Sequence, residues 1–231
     1  MITVETIRER HSVREYDGGP LGQAEFDALG AVVEECARES GLNIQLVGDN
    51  PEVFNVIARF GLIRGCRTHV AFVVDDAKAG DVAADEAIGY WGQKIVLAAQ
   101  DMELNTCWCA LCSRKKSRAV VASGKKIRLI IAVGHGKTQG FSRKTKSVEA
   151  LSSAECVKAP AWFVAAMEAA QLAPTAMNNQ NFKITLLSDA KTVRIDAPQS
   201  GLNVIDEGIV RCNFEIAANE AGADWRWERD I

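Results

Sequence analysis

Residues 173–182 read Ala-Pro-Thr-Ala-Met-Asn-Asn-Gln-Asn-Phe. Pro174, Thr175 and Ala176 are small enough to bring backbone close to a ligand. Asn178 and Gln180 each carry a donor and an acceptor, so they can serve a ligand's polar atoms or pin the loop itself. The same residues also read as a helix end followed by a polar turn, where Pro and Asn are common. Upstream, 160–172 is Ala-rich and helical, with Pro160 at the first helical position. Downstream, Phe182–Leu187 and Thr192–Ile195 read as a hairpin around Ser188-Asp189. The segment is thus a loop between a helix and a strand.

A second informative stretch lies near the other end, Arg10-His11-Ser12-Val13-Arg14. Two arginines flanking a hydroxyl suit a phosphate, because guanidinium offers bidentate, charge-assisted bonds. The competing reading is a solvated charge run at a helix end, capped by Ser12. Residues 2–10 read as a short helix. Residues 22–39 read as an amphipathic helix, with Phe26, Leu29, Val33, Cys36 and Ala37 on its inner face. Asn43–Val47 and His69–Val74 read as strands, and 83–103 as the longest helix. Ile127–Val133 is nearly all apolar, as in a strand buried on both faces. Residues 206–221 read as a helix with Asp206 as N-cap, and Trp225–Glu228 as a final strand.

Helix-then-strand order recurs. It appears at 22–47 and again at 160–187, then at 83–109 and again at 206–228. The pattern suggests two similar half-units, 1–140 and 141–231, within one domain spanning 1–231. The fold class expected is α+β, with a central, mainly antiparallel sheet flanked by helices.

Bulk properties narrow the function. A chain of 231 residues, 48% hydrophobic and 25% charged, is that of an ordinary globular protein. Its net charge of −3 gives no nucleic-acid footprint, and no stretch reaches the roughly 18 apolar residues of a membrane span. The N-terminal segment has no basic region followed by an apolar one, so a signal peptide is not expected. Seven cysteines without an export signal suggest reduced thiols in a cytoplasm. No dinucleotide fingerprint, P-loop, zinc-protease or nucleophile-elbow motif is present. His11, His69 and His135 lack metal-like spacing and read as structural.

The loop at 173–182 and the segment at 10–14 together resemble the flavin-binding elements of the nitroreductase family. The late position of the loop resembles a compact subgroup of that family. The resemblance implies FMN as cofactor and NADH or NADPH as electron donor. By resemblance, Arg10 and Ser12 hold the phosphate, and Arg14 meets the pyrimidine edge of the flavin. Pro174, Thr175, Ala176, Asn178 and Gln180 form the loop on the ring. Asn181 stands where the family pattern has Pro, and Phe182 where it has Trp. Leu104-Asn105-Thr106-Cys107-Trp108 is similar to the family's Gly-Leu-Gly-Thr-Cys-Trp. Glu103 and Asn105 replace its glycines, Asn105 being able to hold the turn in a left-handed conformation. This would put Cys107, Trp108 and Cys109 beside the flavin. Cys107, Cys109 and Cys112 lack a fourth metal ligand nearby and read better as small residues of a buried strand. Arg143, Lys144 and Lys146 match a basic stretch that completes the phosphate site. A second basic run, 114–118, reads as a solvated turn.

The implied function is an FMN-dependent NAD(P)H oxidoreductase of the nitroreductase type. Its expected acceptor is a small molecule, a nitroaromatic or quinone by family default, and no protein acid or base is needed. Two alternatives stand beside it: a flavin carrier or sensor without turnover, and a non-flavin α+β protein. Family members place FMN at a homodimer interface. One clamp and one loop per chain favour a monomeric pseudo-dimer here over an exchanged homodimer.

Overall fold

A computed structural model describes residues 2–54, 63–156 and 158–229. The helices are α1 (Val4–Glu9), α2 (Gln23–Ser40), α3 (Val82–Asp101), α4 (Val148–Leu151), α5 (Ala161–Gln171) and α6 (Leu202–Glu220). The strands are β1 (Asn43–Val47), β2 (Thr68–Asp75), β3 (Asn105–Cys109), β4 (Lys125–Gly134), β5 (Ser152–Ala154), β6 (Lys183–Leu186), β7 (Thr192–Asp196) and β8 (Arg226–Trp227). The protein is mixed α+β, and its strands divide into two four-stranded sheets. Contacts group the described chain into two compact units. One holds residues 9–79 and 94–142, the other 2–8, 80–93 and 143–231. The last boundary falls close to the expected 140/141 division, but 2–8 and 80–93 go with the second unit.

In the first unit the sheet order is β1-β2-β4-β3, every pair antiparallel. β2 and β4 are flanked by strands on both sides. Thr68–Val74 and Leu129–Gly134 on these central strands are buried at every position rather than alternately, so both faces of the sheet are covered there. α2 turns Leu29, Val33 and Cys36 inward and ends at Gly41, whose left-handed φ of 69° lets its N–H close on the Ala37 carbonyl. The core below the sheet gathers Val13, Tyr16, Phe54, Ala71, Cys107, Cys109 and Ile130.

In the second unit β6 and β7 form the expected antiparallel hairpin, and β8 joins β7 in parallel. β5, which hydrophobic periodicity did not reveal, pairs in parallel with β6; at three residues it is too short to carry a period. Both units share a plan: a helix, two antiparallel strands, a helix, then a strand running parallel to the second. In the first unit β4 is inserted between those last two strands. The second unit is cemented by aromatic rings, with Phe214 5.8 Å from Phe163 and 5.0 Å from Trp227.

Two helix starts differ from expectation. α5 begins at Ala161, with Pro160 as its N-cap rather than its first residue. α6 begins four residues before Asp206, capped at Gly201, so Asp206 lies inside the helix. Val204 and Ile205 in the first turn of α6 are buried, which extends the helix ahead of Asp206. Where α6 crosses the first part of α3, Gly208 and Gly89 let the backbones touch. A Cβ on Gly89 would come 2.0 Å from the Ile205 carbonyl oxygen, and one on Gly208 2.0 Å from that of Glu86.

Candidate functional site

In the first unit the Arg10–Arg14 segment leaves α1 and lies along β3, which sits at the sheet edge. Ser12 bridges to Thr106, and the Val13 N–H donates to the Thr106 carbonyl at 3.0 Å. Val13 and Tyr16 point into the core, leaving Ser12 and Arg14 half-buried. The Arg14 carbonyl accepts from the Arg64 N–H at 2.8 Å. Arg10 is buried, and burial lowers its pKa to about 10, against a smaller opposing effect of Cys107. It stays cationic at neutral pH. Two further side chains hold the segment in place. His11 contacts the Glu9 carbonyl at 2.9 Å and the Ser142 hydroxyl at 3.1 Å. Asn105 accepts from the Gly136 N–H at 2.8 Å and donates to the Gln139 side chain at 2.8 Å, tying the loop after β4 to the start of β3.

Asn105 therefore acts as a staple. The left-handed residue of this turn is Glu103, at φ 61°, not Asn105, which is already the first residue of the strand. On β3 the thiols of Cys107 and Cys109 face the core while Trp108 stacks on Phe72, with centroids 6.2 Å apart and planes at 13°. What this strand offers a ligand is its backbone and the partly exposed indole. Among the described residues, no cluster of three or more His, Cys, Asp or Glu side chains could hold a metal ion.

In the second unit the 173–182 loop turns tightly. Met177, Asn178 and Gln180 have φ of 54°, 57° and 47°. Such backbone is costly for side chains other than glycine and persists only where bonds hold it. The Thr175 hydroxyl accepts the Gln180 N–H at 3.1 Å. The Gln180 side chain, nearly fully buried, accepts from the Lys146 N–H at 2.7 Å and donates to the Gln171 carbonyl at 2.9 Å. The Lys146 ammonium donates to the Gln180 carbonyl at 2.9 Å, and Asn178 donates to the Lys144 carbonyl at 2.8 Å. Of the two uses open to Gln180, the structure shows it pinning the loop. Loop and basic stretch are thereby bonded into one surface. Pro174, Thr175 and Ala176 are half-buried, and the Arg143 and Lys144 side chains are exposed.

One partner of the loop is a residue that the sequence alone presents as a helix cap. The Asp206 carboxylate, buried on α6, receives the Ala176 N–H through both oxygens, at 3.0 and 2.9 Å. Its apolar neighbours along the chain, Val204, Ile205, Ile209 and Val210, were the available signal for a carboxylate held out of water. Burial raises its pKa from 3.8 to about 7, only partly opposed by the Ala176 N–H. The folded chain therefore keeps a proton that the unfolded chain has lost, and stability should fall as pH rises from about 4 to about 7, then level off. Asp206→Asn should flatten that slope and raise stability relative to the parent chain at pH 8. Urea midpoints at pH 5 and pH 8 check this, and equal slopes for both proteins would contradict it.

The remaining histidines are structural. His69 is fully buried, bonds Ser117 at 2.8 Å, and burial lowers its pKa to about 4. His135 meets Glu25 at 3.2 Å. The basic run at 114–118 is a short turn in which Arg114 donates to the Ala110 carbonyl at 2.8 Å and Arg118 lies 3.9 Å from Glu52.

A mixed α+β chain with these two sheets and these two docked segments has the architecture of nitroreductases. The family described as "Putative TM nitroreductase" matches residues 2–218, and the chain belongs to it. Among solved structures, a protein of Thermotoga maritima described as a putative nitroreductase is 19% identical. The match has a TM-score of 0.63 and covers 96% of this chain and 85% of that one. A protein of Desulfovibrio desulfuricans, similarly described and in complex with FMN, is 19% identical with a TM-score of 0.50. That match covers 64% of this chain and 94% of that one. No curated protein matches the chain significantly. Among the described residues no helix is long and apolar enough to cross a membrane.

Proposed function

We propose that this chain is an FMN-dependent NAD(P)H oxidoreductase. The observation that carries the reading is the bonding of the 174–180 loop to the basic stretch through Asn178–Lys144 and Gln180–Lys146, positions 34 residues apart. These bonds unite small half-buried residues suited to a flat ring with cations suited to a phosphate. The donor set fits FMN in kind. In the first unit Arg10 and Ser12 offer positive charge and a hydroxyl of the kind a phosphate takes; in the second, Arg143 and Lys144 offer exposed positive charge. Lys146 commits its ammonium to the loop and acts by holding it. Pro174, Thr175 and Ala176 offer close backbone, and Asn178 an exposed amide. By the family resemblance, one clamp and one loop per chain correspond to one FMN per chain and a monomeric holoprotein.

Bound FMN supplies hydride acceptance from NADH or NADPH and delivery to a small acceptor such as a nitroaromatic or quinone. The protein's part is to orient and to tune. By the family resemblance, Arg14 would place a fixed cation where negative charge gathers on the flavin as it is reduced, which would raise the flavin potential. The left-handed loop residues, held by Thr175, Asp206 and Lys146, keep the loop's shape without help from a ligand. No side chain is needed as acid or base.

The test is to purify the chain, load it with FMN, measure flavin per chain and mass in solution, and mix it anaerobically with NADH or NADPH. A yellow monomer with one FMN that bleaches with either nucleotide is expected. A bound flavin that neither nucleotide bleaches would point to a carrier or sensor, and failure to bind FMN would remove the oxidoreductase reading.

A further inference from the structure

β3 ends at Cys109, the turn after it runs Ala110-Leu111-Cys112, and the proposed flavin chemistry uses neither the Cys109 nor the Cys112 thiol. Cys109, the last residue of the strand, is buried; Cys112, in the turn that follows, is half-buried. The turn brings the two thiols together, each acting on the other's proton affinity. The turn itself is fixed. Cys112 Sγ contacts the Cys109 carbonyl at 3.6 Å, Cys109 Sγ the Leu111 carbonyl at 3.5 Å, and the Ser113 N–H donates to the Val53 carbonyl at 2.8 Å. Leu111, at the apex, is 64% exposed, so the turn faces solvent.

We propose that Cys109 and Cys112 form a thiol–disulfide exchange site for a low-molecular-weight disulfide, Cys112 attacking and Cys109 resolving. The Cys112 thiolate attacks one sulfur of the disulfide, whose S–S bond breaks and whose other half leaves as a thiolate. Cys109, giving up its proton, then attacks Cys112 Sγ and expels the second half as a thiol. The net exchange turns one external disulfide and one protein dithiol into one protein disulfide and two thiols.

The asymmetry of the pair supports these roles. The Cys109 thiol and the charge of Arg114 draw the Cys112 thiol below its ordinary pKa, while Cys109, acted on by Cys112 and buried, is pushed well above. A lowered pKa and exposure make the first attacker. The other cysteines fit less well. Cys107 lies two residues from Cys109 on one strand face, with Cα atoms about 7 Å apart and parallel side chains, poor geometry for a bridge. Cys66 Sγ is bonded to the Thr68 and Val133 carbonyls at 3.2 and 3.3 Å in the core. Cys36 and Cys212 are buried, and Cys156 is half-buried outside the β3 turn.

The full chain, treated with oxidised glutathione, alkylated and mapped by peptide mass spectrometry, tests the proposal. The segment carrying residues 107–112 should lose two alkylatable thiols and two hydrogens, with the link between Cys109 and Cys112. Cys109→Ala should trap glutathione on Cys112, and Cys112→Ser should leave residue 109 reduced. Timed alkylation of the unsubstituted protein should label Cys112 at least about tenfold faster than Cys109, a readout independent of variant folding. Glutathione on Cys156 alone, a Cys107–Cys112 link, or both thiols still free would each overturn the assignment.

Discussion

Replacing Arg10 by alanine should weaken FMN binding at least about tenfold and leave riboflavin binding unchanged. A charge-assisted hydrogen bond contributes about 1.5–3 kcal/mol, a factor of roughly 10 to 150 in affinity. Arg10 keeps its charge at neutral pH although burial lowers its pKa to about 10. It lies between the end of α1 and the Ser12–Thr106 bridge. Riboflavin has no phosphate and should not sense the change. Because the side chain is buried, alanine also opens space; Arg10→Met fills it without charge and should show the same selectivity between the two ligands. Titration of each ligand by flavin fluorescence quenching checks this. Equal weakening of FMN and riboflavin would put Arg10 away from the phosphate.

The largest stability effect is expected at Arg211. Its side chain is 2% exposed, with Nε 2.9 Å from Glu86 and a terminal nitrogen 3.4 Å from Glu207, and both carboxylates are 1% exposed. Arg229 closes the set, 2.8 Å from Glu86 and 3.0 Å from Glu207. Arg211 also donates to the Arg229 carbonyl at 2.8 Å and lies 4.6 Å from the Trp227 ring centroid. Two buried carboxylates are thus balanced by two guanidinium groups, one of them half-exposed. Arg211→Met keeps the bulk and removes one charge, leaving two carboxylates against Arg229 alone. Removing one partner of a buried ionic group costs about 3–5 kcal/mol. The second unit should lose that much in urea unfolding followed by tryptophan fluorescence. Changing Glu86 and Glu207 to Gln as well should recover part of the loss, because the uncompensated charge then disappears. A loss under about 1 kcal/mol for Arg211→Met would mean that the network carries little net energy.

The residue types and spacing at 10–14, 104–108, 143–146 and 173–182 pointed to the nitroreductase family, and the family match spans 2–218. Most helices and strands were equally legible, since each has a run of apolar residues at its own period: β1 spans Asn43–Val47 as read. What periodicity could not show were elements too short to hold a period, such as β5, and helix ends decided by packing, such as the first turn of α6. The sequence also could not say how the site residues are used. Gln180 had two chemically equal roles, and only its placement against Lys146 and Gln171 decided for the loop. Asp206 read as a cap because Asp favours that position; burial under the loop made it a receiver of the Ala176 N–H instead. Cys109 and Cys112 read as packing residues, and the turn that joins their thiols appears only in three dimensions. By itself, then, the sequence determined the family, the elements and the candidate residues, because those follow from local composition and spacing. The partners of each polar group were decided by tertiary structure, because burial and contacts between distant segments set whether a side chain is held, spent or available.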